Sequence, residues 1–248
     1  MIKQKNAVAL TFGRGIRDGL PIGLGYLSVS IGFGIAVVGQ GLHPLYALLI
    51  SLFNETSAGQ AAGLAIIVAG GSLMEMAVTQ FVINLRYSLM GLSLTQCIDK
   101  SFTLPWRMLL SFCITDEIFA VATSASESSG ERITPRYFSG LSVFPYVGWA
   151  TGTILGALLG QILPAFISGA LGIMLYGMFL AIIIPPARNH YGVQCAVAVA
   201  IALSCMVYYL PVFSFITSGF SIVLCAILAA VLAAWLFPVK DTADEPSP

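Results

Sequence analysis

Eight apolar segments, at about 20–41, 45–71, 72–96, 106–126, 138–163, 166–185, 191–211 and 215–237, leave this chain little polar surface to present to water. The hydrocarbon core of a bilayer is about 30 Å thick and an α-helix rises about 1.5 Å per residue, so roughly 20 mostly apolar residues make one span. Only 9% of the 248 residues are charged, against about 25% in soluble domains. The pattern predicts an all-α, polytopic membrane helical bundle of seven or eight transmembrane helices, formed by residues 1–237 as a single domain. The tail at 238–248 is polar, acidic and proline-rich, a composition that buries nothing and is predicted to be disordered.

Segment 45–71 is the irregular one. Its polar stretch 54-NETSAGQ-60 divides two apolar half-runs, which predicts a broken span, a re-entrant hairpin or a water-exposed loop between two short helices. Cations near span ends favour the cytoplasm, and in an eight-pass chain Lys3, Lys5, Arg14, Arg17, Arg132, Arg136, Arg188 and Lys240 share one side. Both termini are therefore expected to be cytoplasmic. Lys100 and Arg107 are the exceptions, outside after full crossings but not if 45–71 is re-entrant. The basic N-terminus runs into an apolar stretch longer than a signal-peptide core, without a small-residue cleavage site, and reads as a retained span. An offset of about 120 residues aligns 19-GL with 140-GL, 39-GQGL with 160-GQIL, 64-LAIIV with 180-LAIII and 77-AV with 196-AV, matches that fit either chance or two structural repeats.

The formal net charge is zero and Lys and Arg do not cluster along one face, which excludes nucleic acid as a partner. The five cysteines, Cys97, Cys113, Cys195, Cys205 and Cys225, have neither CxxC nor Cys/His spacing and read as small hydrophobes, so no metal or other cofactor is expected. No HExxH, GxSxG or Walker A motif occurs, and no enzymatic activity is expected. His43 and His190 fall in turns, and 127-ESSGERITPR-136 reads as a solvated loop. Trp106, Trp149, Trp235, Tyr208 and Tyr209 stand near segment ends, where interfacial anchors belong.

Gly148, Gly152, Gly156 and Gly160 recur every fourth residue, and Gly25, Gly32 and Gly39 every seventh, two stripes that predict close helix packing. Ionisable groups at membrane depth cost about 2.5–3.5 kcal/mol each on insertion scales. Glu55, Glu75, Arg86, Asp116 and Glu117 are accordingly expected to face a bundle interior or a hydrated cavity. Glu75 and Arg86 share a helix stripe but stand about 16 Å apart along its axis, too far to pair. Asp116 and Glu117, mid-run on the fourth segment and about 100° apart on its wheel, are the candidates to partner Arg86. One can do so squarely, which leaves the other for a proton or a substrate amine. Glu75, Asp116 and Glu117 are thus the proton-coupling or ion-pair candidates. Asn54, Glu55, Thr56, Ser57, Gly59 and Gln60, with Asn84 and Arg86, form the candidate substrate site, because a half-helix starting near Ser57 would aim N–H groups at an anion.

The segments 19-GLPIGLGYLSVSIGFGIAVVG-39, 57-SAGQAAGLAIIVAGG-71, 84-NLRYSLMGLSL-94, 115-TDEIFA-120 and 151-TGTILGALLG-160 resemble the AzlC family of branched-chain amino-acid permeases, over residues 15 to about 237. The resemblance implies a secondary exporter of leucine, isoleucine, valine and analogues such as azaleucine, with methionine an expected further substrate. It implies a plasma-membrane location and a two-subunit permease whose other member is a small hydrophobic AzlD-type protein. Arg86 would then hold either the substrate carboxylate or one of Asp116 and Glu117. An apolar pocket separates side chains differing by one methylene by only about 1–3 kcal/mol, so overlapping substrates are expected. The alternatives are a permease for another small solute, and a passive channel or non-transporting membrane scaffold.

Overall fold

The computed structural model describes residues 9–160, 162, 164–213 and 215–238. The predicted tail at 238–248 therefore lies outside the described residues except for Pro238. The described chain is built of ten α-helices and a 3-10 turn, Pro211–Phe213, and contains no strand beyond an isolated bridge between Ile98 and Ile133. Helices α1 (Phe12–Gly39), α7 (Pro135–Leu159), α9 (Tyr191–Tyr209) and α10 (Ser218–Leu236) are long and apolar enough to cross a membrane. Helices α4 (Leu73–Leu94) and α8 (Ala165–Asn189) have the length to do so. The remaining two apolar segments are each split, into α2 (Pro44–Phe53) with α3 (Ser57–Val68) and α5 (Leu104–Ser111) with α6 (Asp116–Ser129). Two compact units result, one comprising the chain up to Ala61 with Ile83–Tyr176, the other Ala62–Val82 with the chain from Gly177.

In the first unit α1 and α7 run parallel, with backbones in contact. A Cβ added at Gly15 would stand 2.8 Å from the Leu141 nitrogen, one at Gly23 2.9 Å from the Phe144 Cβ, and one at Gly34 2.6 Å from the Ala157 nitrogen. Rising numbers on one helix meet rising numbers on the other. From α7, the stripe Gly148, Gly152, Gly156 and Gly160 meets Gly23, Leu27, Ile31 and Val38. The seven-residue stripe predicted on α1 is not its counterpart, since a Cβ at Gly25 or Gly39 would meet nothing within 4 Å. On α1 the close approach is instead made at Gly15, Gly19 and Gly23, every fourth residue, against Tyr137, Leu141 and Phe144 of α7.

The first split segment is a re-entrant hairpin. His43 caps α2 by accepting the Leu45 N–H (3.2 Å), and Pro44 opens the helix. After Asn54 the chain reverses. The Gln60 amide lies 3.5 Å from the Ser51 hydroxyl and donates to the Asn54 carbonyl, although nine residues of continuous helix would separate the two by about 13 Å.

The second split segment reverses as well. Residues on either side of it are joined: the Asp99 N–H donates to the Ile133 carbonyl and the Ile133 N–H to that of Cys97, both at 2.9 Å. Its legs pack Leu110, Ile118, Ala122 and Ala125 into a cluster with Leu10, Leu94, Tyr137 and Leu141, beside the starts of α1 and α7. The Leu10 N–H donates to Glu131 (2.8 Å), so part of the stretch read as a solvated loop is tied to that end.

The two hairpins thus enter from opposite ends of α1. The first follows its C-terminus through a turn at Gly41 (φ +78), and the second starts and ends beside its N-terminus. Of the eight apolar segments, these two fold back on themselves. Asp116 and Glu117 are correspondingly not mid-run on a continuous helix but in the first turn of α6.

In the second unit α9 and α10 are antiparallel, as the approach of Gly192 to Phe237 shows (3.2 Å from a Cβ at Gly192). Glu75 accepts the Gly219 N–H at the start of α10 (2.7 Å) and is 2% exposed. A carboxylate there meets the positive end of the helix, so Glu75, one of the proton-coupling or ion-pair candidates, caps α10.

Candidate functional site at the hairpin tips

The two hairpin tips and α4 line an open cavity of about 250 Å³ in the first unit. Asn54, Glu55 and Thr56 reach it from the first hairpin, Ser111, Phe112 and Ile114 from the second, and Asn84 and Tyr87 from α4. Unwound backbone at this depth is tolerated where it lines a cavity or is buried in protein, and these tips do both.

The first tip is held by its own polar side chains. The Thr56 N–H donates to Asn54 Oδ1 (3.1 Å), and the Thr56 hydroxyl to Asn84 Oδ1 (2.5 Å). Gln60, 1% exposed, accepts the Trp149 indole N–H from α7 (3.2 Å). Ser51 shares a 2.7 Å hydrogen bond with Thr153, and the Tyr146 hydroxyl donates to the Leu52 carbonyl (3.1 Å), a group that the end of α2 leaves open. Ser57 and Gly59 belong to the first turn of α3, which carries no acidic residue.

The second tip is held by charge. Arg86 ion-pairs with Asp116 (2.9 Å), donates to the Tyr87 hydroxyl (2.7 Å) and lies 4.7 Å from the centre of that ring. Glu117 turns the other way, with its carboxylate 2.5 Å from the Tyr26 hydroxyl of α1. Thr115 caps α6 by accepting the Ile118 N–H (3.4 Å) and lies 2.8 Å from the same Tyr26 hydroxyl.

Tyr26 and Trp149 join the tips. Their rings meet edge to face at 5.3 Å, so a continuous path runs from Glu117 through Tyr26 and Trp149 to Gln60. Trp149 is 2% exposed, which makes it a buried strut and not the interfacial anchor its position in the sequence predicts. Neither aromatic is separable in the sequence from the apolar residues around it.

Glu55 is the exception to this satisfaction. It is 9% exposed, and both carboxylate oxygens are buried without a hydrogen-bond partner among the described residues. A buried carboxylate left alone costs several kcal/mol in order of magnitude, so a proton or a cation in the cavity is favoured beside it. The candidate substrate residues in the break, with Asn84, are therefore brought together. Arg86 belongs to the ion pair at the opposite tip, and Glu75 to the second unit. The described residues contain no group of three or more His, Cys, Asp or Glu able to hold a metal ion.

A family model described as AzlC protein matches residues 21–163. The chain is 29% identical to the inner membrane protein YgaZ of Escherichia coli, over 91% of each chain. It is also similar to uncharacterized membrane proteins of Helicobacter pylori, at 26% identity over 80% of this chain and 87% of the relative, and of Archaeoglobus fulgidus, at 29% over 77% and 84%. No solved structure matches. With its split helices and polar tips inside the matched stretch, this multi-pass membrane protein belongs to the AzlC family.

Proposed function

We propose that this membrane transporter exports branched-chain amino acids, and that the cavity at the hairpin tips receives the substrate's ammonium and carboxylate. The observation that carries the reading is the pairing of opposite needs there. Glu55 has no partner, and beside it α3 starts without an acidic residue in its first turn. The start of α6 already has Asp116 and Glu117 to meet its dipole, so α3 is the helix end that favours an anion. An α-amino acid offers both charges on neighbouring atoms.

The branched side chain has a place as well. A second cavity of about 230 Å³ shares Ser111 and Ile114 with the first and is otherwise lined mainly by apolar groups such as Leu94, Ile98, Leu110 and Phe138. Gly91 lies on its wall, and a Cβ there would stand 3.8 Å from Ile114, an ordinary contact.

The protein acts in the plasma membrane, with both termini in the cytoplasm and a small hydrophobic AzlD-type subunit as partner; it is not an enzyme. Support for the orientation comes from Arg14, Arg17, Lys100, Arg107, Arg132 and Arg136, all near the α1 N-terminal end once both hairpins turn back. Family membership supports the partner.

The test is efflux from cells that express both subunits and are loaded with leucine or valine dipeptides. Export is expected to saturate and to follow the proton gradient. Gly91→Val is expected to lower leucine export about tenfold more than valine export, the scale of one methylene in an apolar pocket. Flux that neither saturates nor responds to the gradient would mark a passive channel, and an unchanged leucine-to-valine ratio would remove the side-chain pocket from the account.

A further inference from the structure

We propose that Glu55 is the coupling group of this transporter, a single carboxyl that a proton and the substrate's ammonium occupy in turn. The inference rests on the amino-acid reading above and adds to it the route by which proton entry is tied to amino-acid exit.

Three observations converge on this residue. Both of its oxygens are buried and unpartnered, it lines the cavity between the tips, and the other carboxyls there are engaged. Asp116 is paired with Arg86, and Glu117 is held by Tyr26. The titratable side chains that face Glu55 are Tyr26 from α1, Tyr87 from α4, Cys113 from the second hairpin and Tyr146 from α7, none of them a cation. Among the described residues no cationic side chain pairs with this carboxylate, so a proton or a mobile cation is what completes it.

The exchange balances. With the site empty, Glu55 carries a proton. When the amino acid arrives from the cytoplasm, the Glu55 O–H bond breaks, its proton leaves to cytoplasmic water, and the carboxylate pairs with the ammonium. When the amino acid departs outside, a proton from that side restores the acid. One proton enters for each zwitterion exported, and in neither form is the Glu55 carboxylate left without a positive partner.

Isothermal titration of the purified two-subunit complex with leucine, in buffers of different ionisation enthalpy and across pH, tests this directly. Leucine binding is expected to release up to one proton, and the apparent affinity to fall about tenfold for each unit by which the pH is lowered where Glu55 is protonated. Glu55→Gln is expected to bind leucine weakly, with no proton release and no such pH dependence. Glu55→Asp, which keeps the carboxyl and guards against a variant that merely fails to fold, is expected to keep the release while its pH midpoint moves. Leucine binding by the parent without proton release would overturn the coupling role and leave the substrate reading standing. Proton release that persists in Glu55→Gln would move the role to Asp116 or Glu117. A parent complex that binds no leucine would overturn both readings.

Discussion

Arg86 and Glu55 solve the same problem in opposite ways, since each is an ionisable group beside a hairpin tip but only Arg86 has an ionic partner among the described residues. Removing that partnership isolates Asp116. Arg86→Ala is expected to reduce export at least about tenfold through lost tip geometry, with Asp116→Asn following it, and Arg86→Lys is expected to recover little because an ammonium cannot reproduce the planar guanidinium fork. If leucine efflux from Arg86→Ala matches the parent, the ion pair does not position the tip. At this scale the sequence was partly legible. Asn54, Glu55 and Gln60 stand out because polar residues are rare in an apolar run. The pairing of Arg86 with Asp116 could be narrowed to two acids but not to one, because choosing between neighbours requires the direction of the first turn of α6. Tyr26 and Trp149 were illegible, since a hydrogen bond from a mid-helix aromatic leaves no mark on composition.

The elements show the same division. The break at Asn54 is announced by polar residues, whereas the one at 112-FCIT-115 is written in mostly apolar ones and passes for continuous helix. Thr115 is its one local signal, an N-cap followed by two acids. The glycine ridge of α7 was legible from its four-residue period. Its register on α1 was not, because that depends on both helices at once. A Cβ at Gly152 would press on the Ser30 hydroxyl and the Leu27 carbonyl. Overpacking costs about 1–3 kcal/mol even where side chains yield, and here backbone is in the way. Gly152→Leu is expected to lower the yield of intact protein severalfold in detergent, as read by size-exclusion chromatography. A variant with the parent's yield and melting temperature would show that the ridge does not hold α1 to α7.

For the whole molecule, two re-entrant hairpins change what the chain does with its length. A long helix followed by a split segment occurs twice, as α1 with α2 and α3 and then as α4 with α5 and α6, and the end of α4 lies beside the start of α1. Lys100 and Arg107, exceptions under eight crossings, join the other cations when both split segments turn back. The sequence alone could not decide this, because a broken span and a hairpin share one composition. Ala69, between α3 and α4, and Ser101, between α4 and α5, are both exposed and separate the alternatives. In a variant whose five cysteines are replaced, single cysteines at these positions are treated in intact cells with a membrane-impermeant maleimide. Paired hairpins entering from opposite faces predict labelling of Ala69→Cys from outside and of Ser101→Cys only after the membrane is opened. The reverse pattern, Ser101→Cys labelled from outside and Ala69→Cys protected, would mean that both segments cross and would contradict the account.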